Sequence, residues 1–465
     1  MRPFLLSLVA QMNDSLLLND FYQLNMAYGY WRQNIHHEQA VFHLFFRRNP
    51  VRGDYVIASG LQSVIDYLTQ FQFTDDDIHY LKSLPASPFP ADFLAYLKTL
   101  RFTGDIDAVP EGSVVFAHEP LLRITAPLIL CQLLETPLIN LVNFSSAVAT
   151  MASRIRTIVG KNDALFEFGL RRSQGPNGGL TASYAAFVGG FDATSNMLAG
   201  KLFGIPIVGT MSHSWVMAFD DELTAFKMYA KNSPDNVVLL VDTYHSETGI
   251  DRAIQIGEKL KGIRLDSGDL GSLSAMAREK LNHAGMNAVK IFVSGDLTED
   301  RIDELKSIKA PIDGWGVGTH LSTSYEQPTL DMVYKLGAIE KNGQWHYKVK
   351  RSDNRIKTSD PGVLQVKRYY EKNHSKKWVR DIIYHVDFGV SENNVVGPNA
   401  EGMDLLIPIF RRGKLIYLSP QLSEIRKYAM EQVVQFHASK GLMYSVERDS
   451  RLLSLKEALL ERCMK

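Results

Sequence analysis

The chain has 465 residues, more than a single hydrophobic core usually spans, so two or more domains are expected. Hydrophobic residues make up 45 % and charged residues 22 %, the balance of an ordinary globular protein and not of a disordered or fibrous one. Lysine plus arginine and aspartate plus glutamate both number 51, so no global basic excess holds nucleic acid or an acidic membrane surface, and an anionic substrate must be met by a local cluster.

The two cysteines, Cys131 and Cys463, have no metal spacing and are too few for a disulfide framework, which fits a reducing, cytoplasmic setting. No run of about 18 apolar residues occurs, so no transmembrane helix is predicted. The N-terminus, MRPFLLSLVAQMND, has a short apolar run after one arginine and no small-x-small cleavage site. Residues 1–11 therefore read as a dispensable extension, with Met12 as the native start.

Residues 13–34 place Leu17, Phe21, Leu24 and Ala27 at helical spacing. AVFHLFFR, 40–47, reads as a strand, and GLQSVIDYLTQF and ADFLAYLKTL read as surface helices. GSVVFAHEPLLRITAP, 112–127, is β-rich and broken by Pro120. Residues 12–140 thus form a mixed α/β N-terminal domain that also holds a long helix start.

From about residue 160 strands and helices alternate. The strands are 164–170, 205–210, 237–242, 262–266, 289–295 and 313–319; helices fill 181–200, 249–260, 271–284 and 298–308. Such alternation predicts a parallel sheet, open or closed into a barrel. Arg171 with Arg172, His213, Asp242, Asp266 with Asp269, Asp296, and Gly316 with Gly318 follow successive strands. In a barrel those ends converge on one mouth, where such folds place their chemistry, so residues 141–345 are predicted to be an α/β barrel catalytic domain. A lone aspartate after a strand is ordinarily a helix cap, but the series extends over nearly every strand. The remainder, 346–465, is less regular and returns in part to the N-terminal domain. LLIPIFRRGKLIY reads as a hairpin turning at RRGK, and 421–437 and 451–462 as helices.

GIRLDSGDLGSLS joins a strand to a helix, where backbone amides can meet phosphate and paired carboxylates can hold Mg²⁺ or face a cation. GWGVGTHLSTS has glycines that let a phosphate approach the backbone, and VKRSDNRIKTSDPG is either a solvated basic loop or a flap over phosphates. EFGLRRSQGPNGGLTAS sets two arginines beside a glycine-rich loop, and a guanidinium matches carboxylate or phosphate with two parallel hydrogen bonds. His213, in GIPIVGTMSHSW, is either a satisfied core histidine or a nucleophile just past a strand.

NDFYQLNMAYGYW, FHLFFRRNP, LLETPLINLVNFSSAVATMASRI, EFGLRRSQGPNGGLTAS, GGFDATSNMLAGKLFGIPIVGTMSHSW, LDSGDLGSLS and GWGVGTHL closely resemble nicotinate phosphoribosyltransferases, in the family's order, over roughly residues 13–370. The resemblance implies attack of nicotinate on 5-phosphoribosyl 1-pyrophosphate, with ATP as co-substrate and Mg²⁺ as cofactor. It implies an irregular parallel α/β barrel of the type II phosphoribosyltransferase kind with a second mixed α/β domain, in a homodimer with shared active sites and no nucleic-acid or membrane partner. His213 falls on the family's phosphohistidine, and Asp242 on the residue that orients it. Tyr22 and Phe168 would sandwich the pyridine ring, with Arg171 and Arg264 in the same pocket. Asp266 and Asp269 would contact ribose hydroxyls or stabilise positive charge. Gly295, Asp296, Gly316, Gly318 and Thr319 would hold the ribose 5-phosphate. Lys350 and Lys357 would approach pyrophosphate or ATP, and Arg47 or Arg48 would reach across the dimer. The resemblance names no metal ligands.

Ser195 stands where nicotinamide-using relatives carry an aspartate; a serine can donate to a carboxylate that an aspartate would repel. Nicotinamide transfer is thus the alternative within the family. Quinolinate transfer would want a more uniformly basic site, and a silent sensor should have lost His213, Asp266 or Arg171. Gly295 departs from a more polar family position, residues 371–465 match no part of the pattern, and a cysteine-rich tail is absent.

Overall fold

The computed structural model describes residues 15–85, 88–372, 377–394, 399–439 and 444–462. The readings of residues 1–11, Met12 and Cys463 lie outside the described residues. The chain divides into two compact units, Val148–Pro328 and a second built from the residues through Ala147 together with those from Thr329 onward.

In Val148–Pro328 the strands pair in parallel, in the order Ala193–Thr194, Ala164–Glu167, Gly314–Val317, Lys290–Val293, Gly262–Leu265, Val238–Leu240. Leu165, Ile263, Leu265, Ile291, Trp315 and Val317 are fully buried. Strands this short and apolar suit a sheet whose crossovers are helices. Gly175–Val188, Ser246–Ile254, Leu270–His283 and Glu299–Ser307 are those helices. Asp269 and Thr298 start two of them by accepting from the amides of Gly271 and Arg301, which keeps the strand-to-helix turns short.

Two expectations change here. The helix expected over 181–200 is two helices, because Gly189 and Gly190 end the first, a short strand Ala193–Thr194 follows, and Asn196 caps Met197–Phe203. The strand expected at 205–210 contributes only a parallel bridge, Thr194 to Ile207. Pro206 has no amide hydrogen to continue a ladder, so the Thr194 amide and carbonyl pair with Pro206 and Val208 and the pairing stops. Asn236, just before Val238–Leu240, reaches the Gly209 carbonyl by its side chain at 3.3 Å.

The other unit holds a seven-stranded antiparallel sheet, in the order Gln344–Tyr347, Met332–Lys341, Gln39–Phe46, Leu122–Pro127, Asp105–Ala108, Ile407–Arg411, Lys414–Leu415. The run AVFHLFF is buried along its whole length, as a strand with neighbours on both edges and cover on both faces requires. The RRGK hairpin forms as read, with Arg412 and Gly413 both at positive φ (49° and 74°), the backbone that a two-residue hairpin turn needs. The tail is more regular than expected: Ala400–Asp404, Leu364–Glu371, Trp378–His385 and Ser445–Arg448 make a four-stranded sheet. No helix among the described residues is long and apolar enough to cross a membrane.

His43 sits in the middle of Gln39–Phe46, with Lys335 and Arg123 opposite it on the two neighbouring strands. Burial first, and then the Arg123 charge, pushes its pKa down to about 3. The Leu364 amide donates to its neutral Nε2 at 3.2 Å. Below the ordinary histidine pKa the unfolded chain takes up a proton that the folded chain refuses, so stability falls as pH drops from about 6.5 toward 3. The loss from this group should reach about 2 kcal/mol by pH 5. His118 and His385 shift the same way, so urea unfolding at several pH values should compare wild type with His43→Gln. A shallower slope is expected for the variant, and equal slopes would refute the assignment.

Candidate active site

Four adjacent parallel strands end at Glu167, Val317, Val293 and Leu265, and residues at and just beyond these ends build one open cavity of about 210 Å³. Phe168, Arg171 and Arg172 come from the turn after the first, and Gly316, Gly318 and Thr319 from the second. Ser294, Gly295 and Asp296 follow the third, and Arg264 and Asp266 close the set from the fourth. Ten residues singled out in the sequence thus meet in one place. Ser294 was not anticipated as part of the site, since a serine after a strand carries no signal by itself.

The electrostatic centre is Asp266. Arg264 precedes it by two, so both side chains leave the same face of the extended chain. Arg264 Nη2 bonds Asp266 Oδ1 at 2.7 Å, and Ser294 Oγ donates to the same oxygen. Arg264 Nε also donates to Ser294 Oγ at 2.8 Å. Burial raises the Asp266 pKa, but the Ser294 hydroxyl and the Arg264 guanidinium outweigh it and hold the carboxyl below the ordinary range. It is therefore ionised at neutral pH. The Arg264 guanidinium also lies over the Phe168 ring, 5.8 Å from its centroid. Arg171 and Arg172 are exposed and make no ion pair among the described residues.

His213 opens the short helix His213–Met217 and is 40 % exposed. Its Nε2 lies 3.8 Å from Asp266 Oδ2, and its Nδ1 is 3.3 Å from Thr243 Oγ1. The contact that the resemblance assigns to Asp242 is therefore made by Thr243. Neighbouring residues of an extended chain point to opposite sides, and Asp242 points the other way. Its Oδ2 accepts from the Asp266 amide at 2.9 Å and from Ser267 Oγ at 2.6 Å, and its Oδ1 is buried without a partner among the described residues. Asp269 is the cap of Leu270–His283, bonded by Ser272 Oγ at 2.6 Å and mostly exposed, outside the cavity lining. Ser195 is half-buried, does not line the cavity, and donates its amide to the Glu167 carbonyl.

The remaining expected residues belong to the other unit. Tyr22 is 47 % exposed on the helix Phe21–Arg32, its phenol pushed up to about 12 by partial burial and then by Glu135. Arg47 is half-buried, while Arg48, Lys350 and Lys357 are exposed.

Residues 17–143 match the model of the nicotinate phosphoribosyltransferase N-terminal domain, and residues 164–377 match that of the nicotinate phosphoribosyltransferase family. A nicotinate phosphoribosyltransferase of Bacillus subtilis is 42 % identical over 443 residues, covering 90 % of this chain and 89 % of that protein. The chain belongs to the nicotinate phosphoribosyltransferase family. A nicotinate phosphoribosyltransferase of Caenorhabditis elegans is 36 % identical, with 90 % and 88 % of the two chains covered. The crystal structure of human nicotinic acid phosphoribosyltransferase superposes with a TM-score of 0.79 at 30 % identity, covering 95 % of this chain and all of that one (100 %).

The backbone at Gly295 calls for a glycine. Its φ is +88°, and a Cβ there would stand 1.8 Å from the Asp266 carbonyl oxygen. No side chain fits without parting the two strand ends that Ser294 and Asp266 join. Gly295→Ala should destabilise the fold by about 1–3 kcal/mol, read as a lower urea midpoint. An unchanged midpoint would show that the close approach is not required.

Proposed function

We propose that this member of the nicotinate phosphoribosyltransferase family transfers the phosphoribosyl group of 5-phosphoribosyl 1-pyrophosphate to nicotinate, making nicotinate mononucleotide and pyrophosphate, the first step of NAD synthesis from nicotinate. The observation that carries the reading is one cavity holding two arginines, Arg171 and Arg172, without ion pairs among the described residues, together with the ionised, arginine-braced Asp266. Both substrates are anions, and guanidinium forks bind carboxylates and phosphates in pairs of hydrogen bonds.

In the reaction the pyridine nitrogen gives its lone pair to the anomeric carbon. The bond from that carbon to the pyrophosphate oxygen breaks, and the electron pair leaves with pyrophosphate. Positive charge builds on the ribose as this bond opens, and a carboxylate already held ionised beside it lowers the energy of that state. Asp266 fills this role, Arg171 receives the nicotinate carboxylate, and Phe168 stacks on the ring. Gly295, Gly316, Gly318 and Thr319 would let the 5-phosphate approach the backbone. The reading extends to closure of the parallel strands as an irregular α/β barrel. It extends also to a homodimer and to the substrate contacts that the family pattern implies for Tyr22, Arg47, Arg48, Lys350 and Lys357.

Mg²⁺, when bound, neutralises the departing pyrophosphate. Among the described residues no three His, Cys, Asp or Glu side chains converge. That suits an ion held mainly by phosphate oxygens and water, with one or two carboxylates. Asp296, exposed at the cavity with no hydrogen bond or ion pair from its carboxylate among the described residues, is the side chain that would hold it.

ATP use would run through His213. In the tautomer whose Nδ1–H donates to Thr243 Oγ1, Nε2 keeps the lone pair that would take the terminal phosphoryl group of ATP as ADP leaves.

The test is turnover of the purified chain with phosphoribosyl pyrophosphate and Mg²⁺, on nicotinate or nicotinamide, with and without ATP. Nicotinate mononucleotide and ADP formed together, from nicotinate alone, are expected. Turnover of nicotinamide, or none of either, would overturn the reading. His213→Ala should abolish ADP formation and leave slow ATP-independent transfer; coupled ADP release from that variant would exclude the phosphohistidine. Asp266→Asn should lower kcat by about 100-fold or more, and an unchanged kcat would remove Asp266 from the mechanism.

A further inference from the structure

Glu167 ends the strand Ala164–Glu167 directly behind Phe168, and the proposed reaction makes no use of it. Its side chain is buried to 1 % exposure. No ion pair compensates it among the described residues. A carboxylate taken out of water without a counter-ion survives only where hydrogen bonds replace its hydration. Three donors do so here. The Gly169 amide donates to Oε1, Ser183 Oγ donates to Oε2 at 2.8 Å, and Thr194 Oγ1 donates to Oε2 at 2.5 Å. Both hydroxyl oxygens in turn accept from Asn196, by its side-chain amide to Ser183 at 3.1 Å and by its backbone amide to Thr194 at 3.0 Å. The Thr194 proton is thereby left to the carboxylate, and the Ser183 proton is divided between Glu167 Oε2 and the Gly179 carbonyl, 2.9 Å from its oxygen. The network draws on the helix Gly175–Val188, the edge strand Ala193–Thr194 and the turn at Gly169 at once.

Gly169 is the peptide this arrangement serves. Its carbonyl accepts from the Arg172 amide at 2.9 Å, Ser173 Oγ at 3.1 Å and Ser322 Oγ at 3.3 Å. A Cβ on it would stand 2.3 Å from Ser322 Cβ and 2.9 Å from the Gly318 carbonyl. The Phe168 amide is held by the Val317 carbonyl at 2.8 Å. The Glu167 carboxylate holds the Gly169 amide, within the turn that carries Phe168 on one side and Arg171 on the other.

We propose that Glu167 is a positioning residue for nicotinate: its carboxylate anchors Gly169 and so sets the Phe168 ring and the Arg171 guanidinium at the cavity edge. The inference rests on the assignment of nicotinate to that edge. It separates from a plain stability role because the phosphate side of the cavity is built by other strand ends, at Gly295, Gly316 and Gly318.

The experiment is steady-state kinetics of wild type, Glu167→Ala, Glu167→Gln and Thr194→Val, varying nicotinate and phosphoribosyl pyrophosphate separately. Glu167→Ala should raise the nicotinate KM about tenfold or more while the phosphoribosyl pyrophosphate KM stays within about threefold. Glu167→Gln should restore most of the nicotinate affinity, because its amide oxygen still accepts from Gly169 and the two hydroxyls can turn to accept from its NH₂. An equal rise of both KM values, an unchanged nicotinate KM, or a glutamine variant as impaired as alanine would overturn the proposal. Should Glu167→Ala fail to fold, Thr194→Val carries the test: it removes one donor and should raise the nicotinate KM alone, about threefold. No selective rise there would be equally fatal. A wild-type enzyme silent with nicotinate would overturn the functional reading and this inference together; an active wild type with indifferent variants overturns this inference alone.

Discussion

A negative charge can stand at the end of the parallel sheet because Arg264 returns to it from two residues earlier on the same strand. The register does the rest. Val293 pairs with Leu265, so the next residues, Ser294 and Asp266, meet across the strand ends, where Ser294 Oγ donates to Asp266 Oδ1. Gly295 lets the two chains approach closely enough for that meeting. Remove any member and the carboxylate either leaves its brace or loses the desolvated setting in which its charge acts at full strength. His213 depends on the same centre, since its Nε2 faces the other Asp266 oxygen. The cavity is therefore organised outward from one ion pair.

The charges of the other unit are arranged for a different purpose. Arg368 is buried, bonded through Nε and Nη2 to both oxygens of Asp381, and stacked on Trp378 with its guanidinium carbon 4.0 Å from the ring centroid. Glu119 lies beside them, fully buried, its pKa raised well above the ordinary range by burial and by the Asp381 carboxylate. Asp360 is closed off in the same way by Arg448 and Lys456. Arg368 and Asp360 thus meet opposite charges within the fold. Arg171 and Arg172 are left solvated and without an ion pair among the described residues, which costs little in the free protein and keeps their donors available to an anion.

The strand-to-helix alternation was legible because most strands of Val148–Pro328 are short apolar runs with a capping or charged residue close behind, whereas Ala193–Thr194, two residues long, carries no such signal. The clustering of reactive residues followed from that pattern, since parallel strands put their ends on one side. Less legible was anything that depends on where a side chain points. Asp242 and Thr243 are adjacent and both polar, and only the backbone direction sends Thr243 to the histidine. Asp269 reads like Asp266 in DSGD, yet one caps a helix and the other is braced in the cavity. Pro206 was visible in the sequence, and its missing amide already limited the pairing that 205–210 could make. The tail sheet was missed because Leu364–Glu371 interleaves charged residues with buried ones. Arg368 is buried by its pairing with Asp381, 13 positions away, which composition does not reveal.

The position of Ser195 bears on how the acid would be told from the amide. A serine there was expected to discriminate by donating to the substrate carboxylate. Its backbone is instead tied to the Glu167 carbonyl, and its side chain is not part of the cavity lining. Under the proposed function the discrimination then falls to the unpaired guanidinium groups. A carboxylate accepts both parallel donors of an arginine fork and neutralises its charge. A carboxamide offers one acceptor and turns an NH₂ toward the other donors, leaving a charged group partly desolvated and incompletely bonded. Selectivity on this account is set by the arginines left open on the cavity edge and by the anchored turn that aims them.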